Sequence, residues 1–308
     1  MNGSKIVITG VSGFIGDYFV RVLKRKYPGS EIFGITRTGS VVNCCSYKLD
    51  LCNEKDVLDI LESIRPDYLY HLAGLVYSYD LNALYHANVV STLNILNAIK
   101  RCKLNTRLVV AGSAAEYGSI LKEHLPVTEK QCAQPQSPYG MTKLWQTLMT
   151  QYDMFDAVDV CVGRIFNVIG PHISEHLTTG QLLGQLERVR NKQQEPKLYV
   201  GNLTLKRDFL DIEDVFSALI ALALRGKPRE IYNICSGVSL SFNELLDVYL
   251  SAYPLNLEVV VDSKQAQNSY IQDIYGCNEK LKRDTGWMPL VSINDSIVKW
   301  SDARDVRG

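Results

Sequence analysis

KIVITGVSGFIG, residues 5–16, decides the fold. Its first half is a short β-branched run of the kind that forms a buried strand. Its second half places Gly10, Gly13 and Gly16 three residues apart, immediately before the helical periodicity of FIGDYFVRVLKRKY. Three glycines alone would be an ordinary tight turn. Between a strand and a helix they let the backbone turn sharply and approach a diphosphate, while the helix start offers unpaired amides and a partial positive charge. Gly10, Gly13, Phe14, Ile15 and Gly16 are therefore expected to hold a dinucleotide.

Outward from this loop, helical and strand patterns alternate. EIFGITR, EKDVLDILESI, YLYHLAG, LYHANVVSTLNILNAIKRC and RLVVAGS continue as strand, helix, strand, helix, strand. Such alternation calls for crossover connections and an α/β fold, a doubly wound parallel sheet with helices on both faces. Beyond VDVCVGRIFNVIG the pattern loosens into a smaller mixed α/β region. The expected division is a dinucleotide-binding domain over 1–166, with 207–238 returning to it, and a substrate domain from 167–206 and 239–308.

The chain has 308 residues, with 33 basic and 33 acidic side chains, so no net charge draws it to nucleic acid or membrane. The amino-terminal strand begins too early for a leader peptide, and no window reaches the roughly 18 apolar residues of a membrane span. Eight scattered cysteines without CxxC spacing are expected to be reduced core residues of a cytoplasmic protein, with no metal site.

The cofactor type follows from the end of the second strand. An acidic residue there would bond the ribose 2′-hydroxyl of NAD and repel a 2′-phosphate. Thr36 and Arg37 stand in that place, and a guanidinium forks well onto phosphate, so NADP(H) is preferred and NAD(H) possible.

SPYGMTK, residues 137–143, opens another helix, because proline is tolerated in a first turn. Residues four apart share a helix face, so Tyr139 and Lys143 point the same way. A free phenol has a pKa of about 10. A positive charge about 4 Å away, at an effective dielectric of about 20, would lower it by about three units.

TGVSGFIG at 9–16, SAAEYG at 113–118 and YGMTK at 139–143 together resemble the extended short-chain dehydrogenase/reductase family, nucleotide-sugar branch. The likeness spans nearly the whole chain, through LDL at 49–51, HLAG at 71–74, RIFNVIGP at 164–171, RDFLDIEDV at 207–215, YNICSG at 232–237 and TGWMP at 285–289. It implies a Rossmann-like domain and a homodimer formed through the helices that hold Asn88 and Tyr139. Tyr139 would be the acid/base, Lys143 its partner and holder of the nicotinamide ribose, and Ser113 the third catalytic residue. Asp50 and Leu51 would lie near adenine, Ala73 and Gly74 along the cofactor. Asn88 is a weaker candidate, equally readable as a helix-starting residue.

Members of that branch act on nucleotide-diphosphate sugars. A 4,6-dehydratase needs a further acid and base two and three residues before the tyrosine of the YG pair, where this chain has Ala115 and Ala114; Glu116 would face elsewhere. The pattern is most similar to GDP-4-keto-6-deoxyhexose reductases, implying NADPH-dependent reduction of a C4 ketone. A 4-epimerase is the alternative, and a non-catalytic cofactor-binding protein the remote one. Asn167 and Arg207 would hold the substrate diphosphate, with Lys206 as helper, unless Arg207 pairs with Asp208 or Asp211. Gln267, with Lys264 nearby, stands where an arginine is expected, leaving GDP, dTDP and CDP open.

Overall fold

The computed structural model describes residues 1–38, 44–170, 173–261 and 271–305, the last six of these by their backbone only. Strands β1 (Lys5–Thr9), β2 (Glu31–Thr36), β3 (Cys45–Lys48), β4 (Tyr68–His71), β5 (Arg107–Ser113) and β6 (Val160–Ile165) join one sheet. Beyond β7 (Asn167–Ile169), β8 (Lys197–Val200), β9 (Lys206–Arg207) and β10 (Phe209–Asp211), the chain returns to that sheet as β11 (Ile231–Ile234). The order is β11-β6-β5-β4-β1-β2-β3, every pairing parallel. This is the doubly wound arrangement expected, with the strand order reversing between β1 and β4.

The two-residue period of a strand sorts side chains to opposite faces. Ile6 and Ile8 join the core beneath helices α1 (Phe14–Lys26) and α7 (Ile212–Arg225), with Phe19, Val215 and Leu219. Val7, Leu108 and Val110 enter the opposite core, with Leu61 of helix α2 (Glu54–Ile64) and Ile95 of helix α4 (Ser91–Arg101), which follows the short helix α3 (Leu81–Tyr85). Both faces of the sheet are thus covered, as parallel sheets require.

A third core gathers Ile169, Leu183, Leu198, Phe209, Leu245 and Ile297, from helix α6 (Thr178–Arg190), helix α8 (Phe242–Ala252), the last helix and their short strands. The helix Glu279–Thr285 departs from the expected division. Leu281 and Trp287 pack into the core beneath α7, not into the smaller lobe.

Strand β3, four half-polar residues on the sheet edge, carries no apolar pattern that marks it in the sequence. The cysteines also depart from expectation. All eight are unpaired, but of these only Cys161 and Cys235 are buried, whereas Cys45 and Cys132 are exposed. Among the described residues no helix is long and apolar enough to cross a membrane.

Candidate active site

The crevice opens at the carboxyl ends of neighbouring strands β1 and β4, where the strand order reverses, the place at which parallel sheets receive ligands. Gly10 has φ of +72°, and a Cβ there would lie 2.7 Å from the Ala73 backbone. A Cβ on Gly16 would run into the Gly10 carbonyl. Only glycine allows α1 to start this close to the sheet. Gly13 caps α1 without a side-chain hydrogen bond to the helix amides, so the first turn offers those amides to an anion.

At the end of β2, Thr36 is buried and donates to Ser12 Oγ at 3.1 Å, while Arg37 is exposed. Asp50 accepts from the Cys52 amide, and the Leu51 carbonyl accepts from buried Asn94 at 2.9 Å, which fixes the loop after β3. A cavity of about 760 Å³ continues from Phe14, Ile15 and Gly74 toward the smaller lobe. Ser113, Tyr139, Lys143, Asn167 and Arg207 all line it. Lys206 does not; it is exposed. Gln267 and Lys264 lie outside the described residues.

Helix α5 (Pro138–Gln151) carries two of the three catalytic candidates. Ser137 caps it by accepting from the Gly140 amide at 3.0 Å, and Pro138 fills the first turn as expected. Gly140 lets the helix approach the Ala115 carbonyl, which would collide with any Cβ there. Ser113 ends β5 and opens a capping box with Glu116. Its side chain stands beside the Tyr139 phenol, and both line the cavity.

The electrostatics differ from expectation. Burial pushes Tyr139 up to about 12, against which the neighbouring Ser113 hydroxyl acts. The ammonium of Lys143 is directed instead to the Ala111 carbonyl and to Gln146 Oε1, each at 2.8 Å. Burial pulls Lys143 itself down to about 8. Desolvation outweighs the charge attraction that spacing on a helix suggests.

Glu116 faces away from the cavity. It is fully buried, accepts from the Ser113 amide at 2.9 Å and pairs with Arg164 at 2.8 Å. Burial raises its pKa despite that guanidinium. Ala114 and Ala115 line the cavity in its stead.

Asn88 is not a helix-starting residue. It lies inside the π-helical turn His86–Val90, buried, with its amide bonded to both the nitrogen and the oxygen of Leu75 and to Thr142. It thereby holds the loop that follows Ala73 and Gly74. Asp208 is bound by Ser236, Gly237 and Gly276, and Asp211 by Glu213 and Ser296. Burial, first of all, lowers the pKa of Arg207, and Asp273 opposes that. Gln181 and Asn202 also line the cavity, and no motif marks them in the sequence.

A parallel sheet, a glycine turn at its switch point and a serine, tyrosine and lysine converging on one cavity define an enzyme of the extended short-chain dehydrogenase/reductase family. More narrowly, residues 7–299 match the family model described as GDP-mannose 4,6 dehydratase, and the chain belongs to that family. It is 28% identical to GDP-6-deoxy-D-mannose reductase of Pseudomonas aeruginosa, over 95% of this chain and 94% of the relative. It is also 28% identical to GDP-mannose 4,6 dehydratase 2 of Arabidopsis thaliana, over 95% of this chain and 84% of that one. Among solved structures, RMD from Pseudomonas aeruginosa complexed with NADPH superposes with a TM-score of 0.88, at 26% identity, covering 99% of this chain and 98% of that one.

Proposed function

We propose that this enzyme reduces the C4 ketone of a GDP-linked 4-keto-6-deoxyhexose with NADPH. The observation that carries this reading is the cavity wall beside Ser113. The two positions that must move protons in a dehydratase are Ala114 and Ala115, and the nearest carboxylate, Glu116, is consumed by Arg164 and the Ser113 amide. Reduction needs one proton donor, and Tyr139 on the cavity wall is that donor in this reading. The two GDP-sugar relatives support the nucleotide, and the NADPH complex of RMD supports the cofactor.

The residues fit the dinucleotide. Gly10 and Gly16 leave a cradle that any Cβ would fill, and a Cβ on Gly74 would stand 3.4 Å from the Lys143 ammonium. Gly10, Gly13, Phe14, Ile15 and Gly16 would hold the diphosphate, Thr36 and Arg37 the 2′-phosphate, Asp50 and Leu51 the adenine side, Ala73 and Gly74 the flank. When bound, NADPH supplies a hydride. Ser113 donates to the C4 oxygen and steadies its growing charge. Tyr139 delivers the proton, and Lys143 stabilises the phenolate left behind and holds the ribose. Asn167 and Arg207 bind the sugar diphosphate, a role that suits a guanidinium.

A homodimer is part of the same proposal. Met141, Trp145 and Leu148 form an exposed apolar stripe on α5, and Tyr85 meets Trp145 edge-on at 5.8 Å between centroids.

The test is incubation with NADPH and GDP-, dTDP- or CDP-linked 4-keto-6-deoxyhexoses, following absorbance and identifying the product. Oxidation of NADPH with the GDP sugar, giving the 6-deoxyhexose, is expected. Interconversion of 4-hydroxy epimers without added cofactor would replace this reading with an epimerase.

A further inference from the structure

Behind Lys143 runs a column of polar side chains with no access to solvent. Thr9, His71, Thr92 and Gln146 are each 0% exposed. Each link is a hydrogen bond. Thr9 Oγ1 meets His71 Nδ1 at 2.8 Å, His71 Nε2 meets Thr92 Oγ1 at 3.0 Å, and Gln146 Nε2 donates to Thr92 Oγ1 at 2.8 Å. The column starts beside the glycine loop, where the Ala73 amide donates to Thr9 Oγ1 at 3.1 Å, and ends on the lysine, which donates to Gln146 Oε1.

Proton counting orients the whole chain. The Thr92 hydroxyl spends its hydrogen on the Asn88 carbonyl at 2.8 Å, and Ser91, 3.4 Å from the same ring nitrogen, spends its own on the Ala87 carbonyl. Both can only accept from His71, so Nε2 carries the hydrogen. Thr9 has accepted from Ala73 and keeps its own hydrogen to donate, so Nδ1 is bare. Burial and the Lys143 charge pull His71 down to about 3, which keeps the ring neutral. With Thr92 able only to accept, Gln146 must turn its nitrogen toward Thr92, which leaves its oxygen toward the ammonium. A reversed amide would set an N–H against Lys143 and leave it one acceptor short.

We infer that Gln146 is a positioning residue for Lys143, and that Thr92, its hydrogen spent on the Asn88 carbonyl, fixes both the Nε2–H tautomer of His71 and the amide orientation that gives Lys143 its second acceptor. Two of the three ammonium hydrogens are thereby committed to Ala111 and Gln146, and the third is left to point into the cavity. The charged and titratable groups around the ammonium are Glu116, which favours its charge, His71, which is neutral, and Tyr139 on its own helix. The inference rests on Lys143 belonging to the reacting site.

Three measurements test it without turnover. Nitrogen-15 shifts of the His71 ring in the full-length protein should show a bare Nδ1 and a protonated Nε2 from pH 6 to 9; the opposite tautomer overturns the inference. Carbon-13 at Cε of lysine, assigned with Lys143→Met, follows the ammonium through its titration. Gln146→Met should move that titration down, and Gln146→Glu should move it up, in proteins with wild-type melting behaviour. Gln146→Met should also weaken NADPH binding at pH 8 by roughly tenfold or more. An unmoved lysine titration in both variants overturns the inference. Should the tautomer and titrations behave as stated while the wild type neither binds NADPH nor reduces any 4-keto sugar, the proposed function fails and the positioning of Lys143 stands.

Discussion

The Lys143 ammonium donates to the carbonyl oxygen of Ala111, 2.8 Å away on β5 and two residues before Ser113. The lysine is thus tied to the strand that presents the serine, and the Tyr139 phenol stands beside that serine. Strand β5 sets all three, and errors in its position propagate to each.

Tyr139→Phe keeps the ring and removes the proton. General acid–base groups contribute about 10²–10⁴-fold. A fall of kcat in that range is expected in the NADPH oxidation assay, with cofactor affinity by fluorescence titration unchanged. Retained turnover would remove Tyr139 from its role.

Gly10→Ala forces an L side chain into φ of +72° and against the Ala73 backbone. The left-handed conformation and the overlap together should cost about 2–4 kcal/mol of stability, seen in urea melts. NADPH binding should be lost even where the variant remains folded, because the same backbone faces the diphosphate.

Burial holds Lys143 at about 8, against 10.5 for an unperturbed lysine. Between these values the unfolded chain binds more protons than the folded one, so this group makes stability rise with pH from about 8 to 10.5. Lys143→Met should flatten that rise in the pH dependence of Tm. NADPH affinity should change in the opposite sense, weakening above pH 8 as the ammonium is lost.

Glu116 and Arg164 form a pair with side chains 0% and 4% exposed. Glu116→Gln strands a buried guanidinium, and breaking such a pair costs about 3–5 kcal/mol. Denaturant melts should show that loss, and the double variant Glu116→Gln with Arg164→Met should recover part of it. Activity should fall too, since the Ser113 turn loses its carboxylate.

Trp145→Glu places a charge in the apolar stripe of α5. Sedimentation should show a dimer for the wild type and monomer for this variant. A monomeric wild type would discard the dimer.

Much of the fold was legible because its signals are local. The strand, glycine turn and helix of residues 5–16, the capped helix behind Ser137 and the strand–helix alternation each depend on neighbours in the chain. Strand β3 escaped because an edge strand buries little and needs no apolar pattern. Asn88 stayed open between two readings because an asparagine in a helix interior looks, from its neighbours alone, like one that starts a helix.

By itself the sequence determined the parallel sheet, the glycine cradle and the placing of Tyr139 and Lys143 on one face of one helix, since backbone geometry enforces periods of two and 3.6. Tertiary structure alone decided where the lysine directs its ammonium, that the phenol is pushed up to about 12, and that Glu116 is spent on Arg164. Those outcomes depend on desolvation and on partners 32 and 48 residues away along the chain, brought close only when the sheet is assembled.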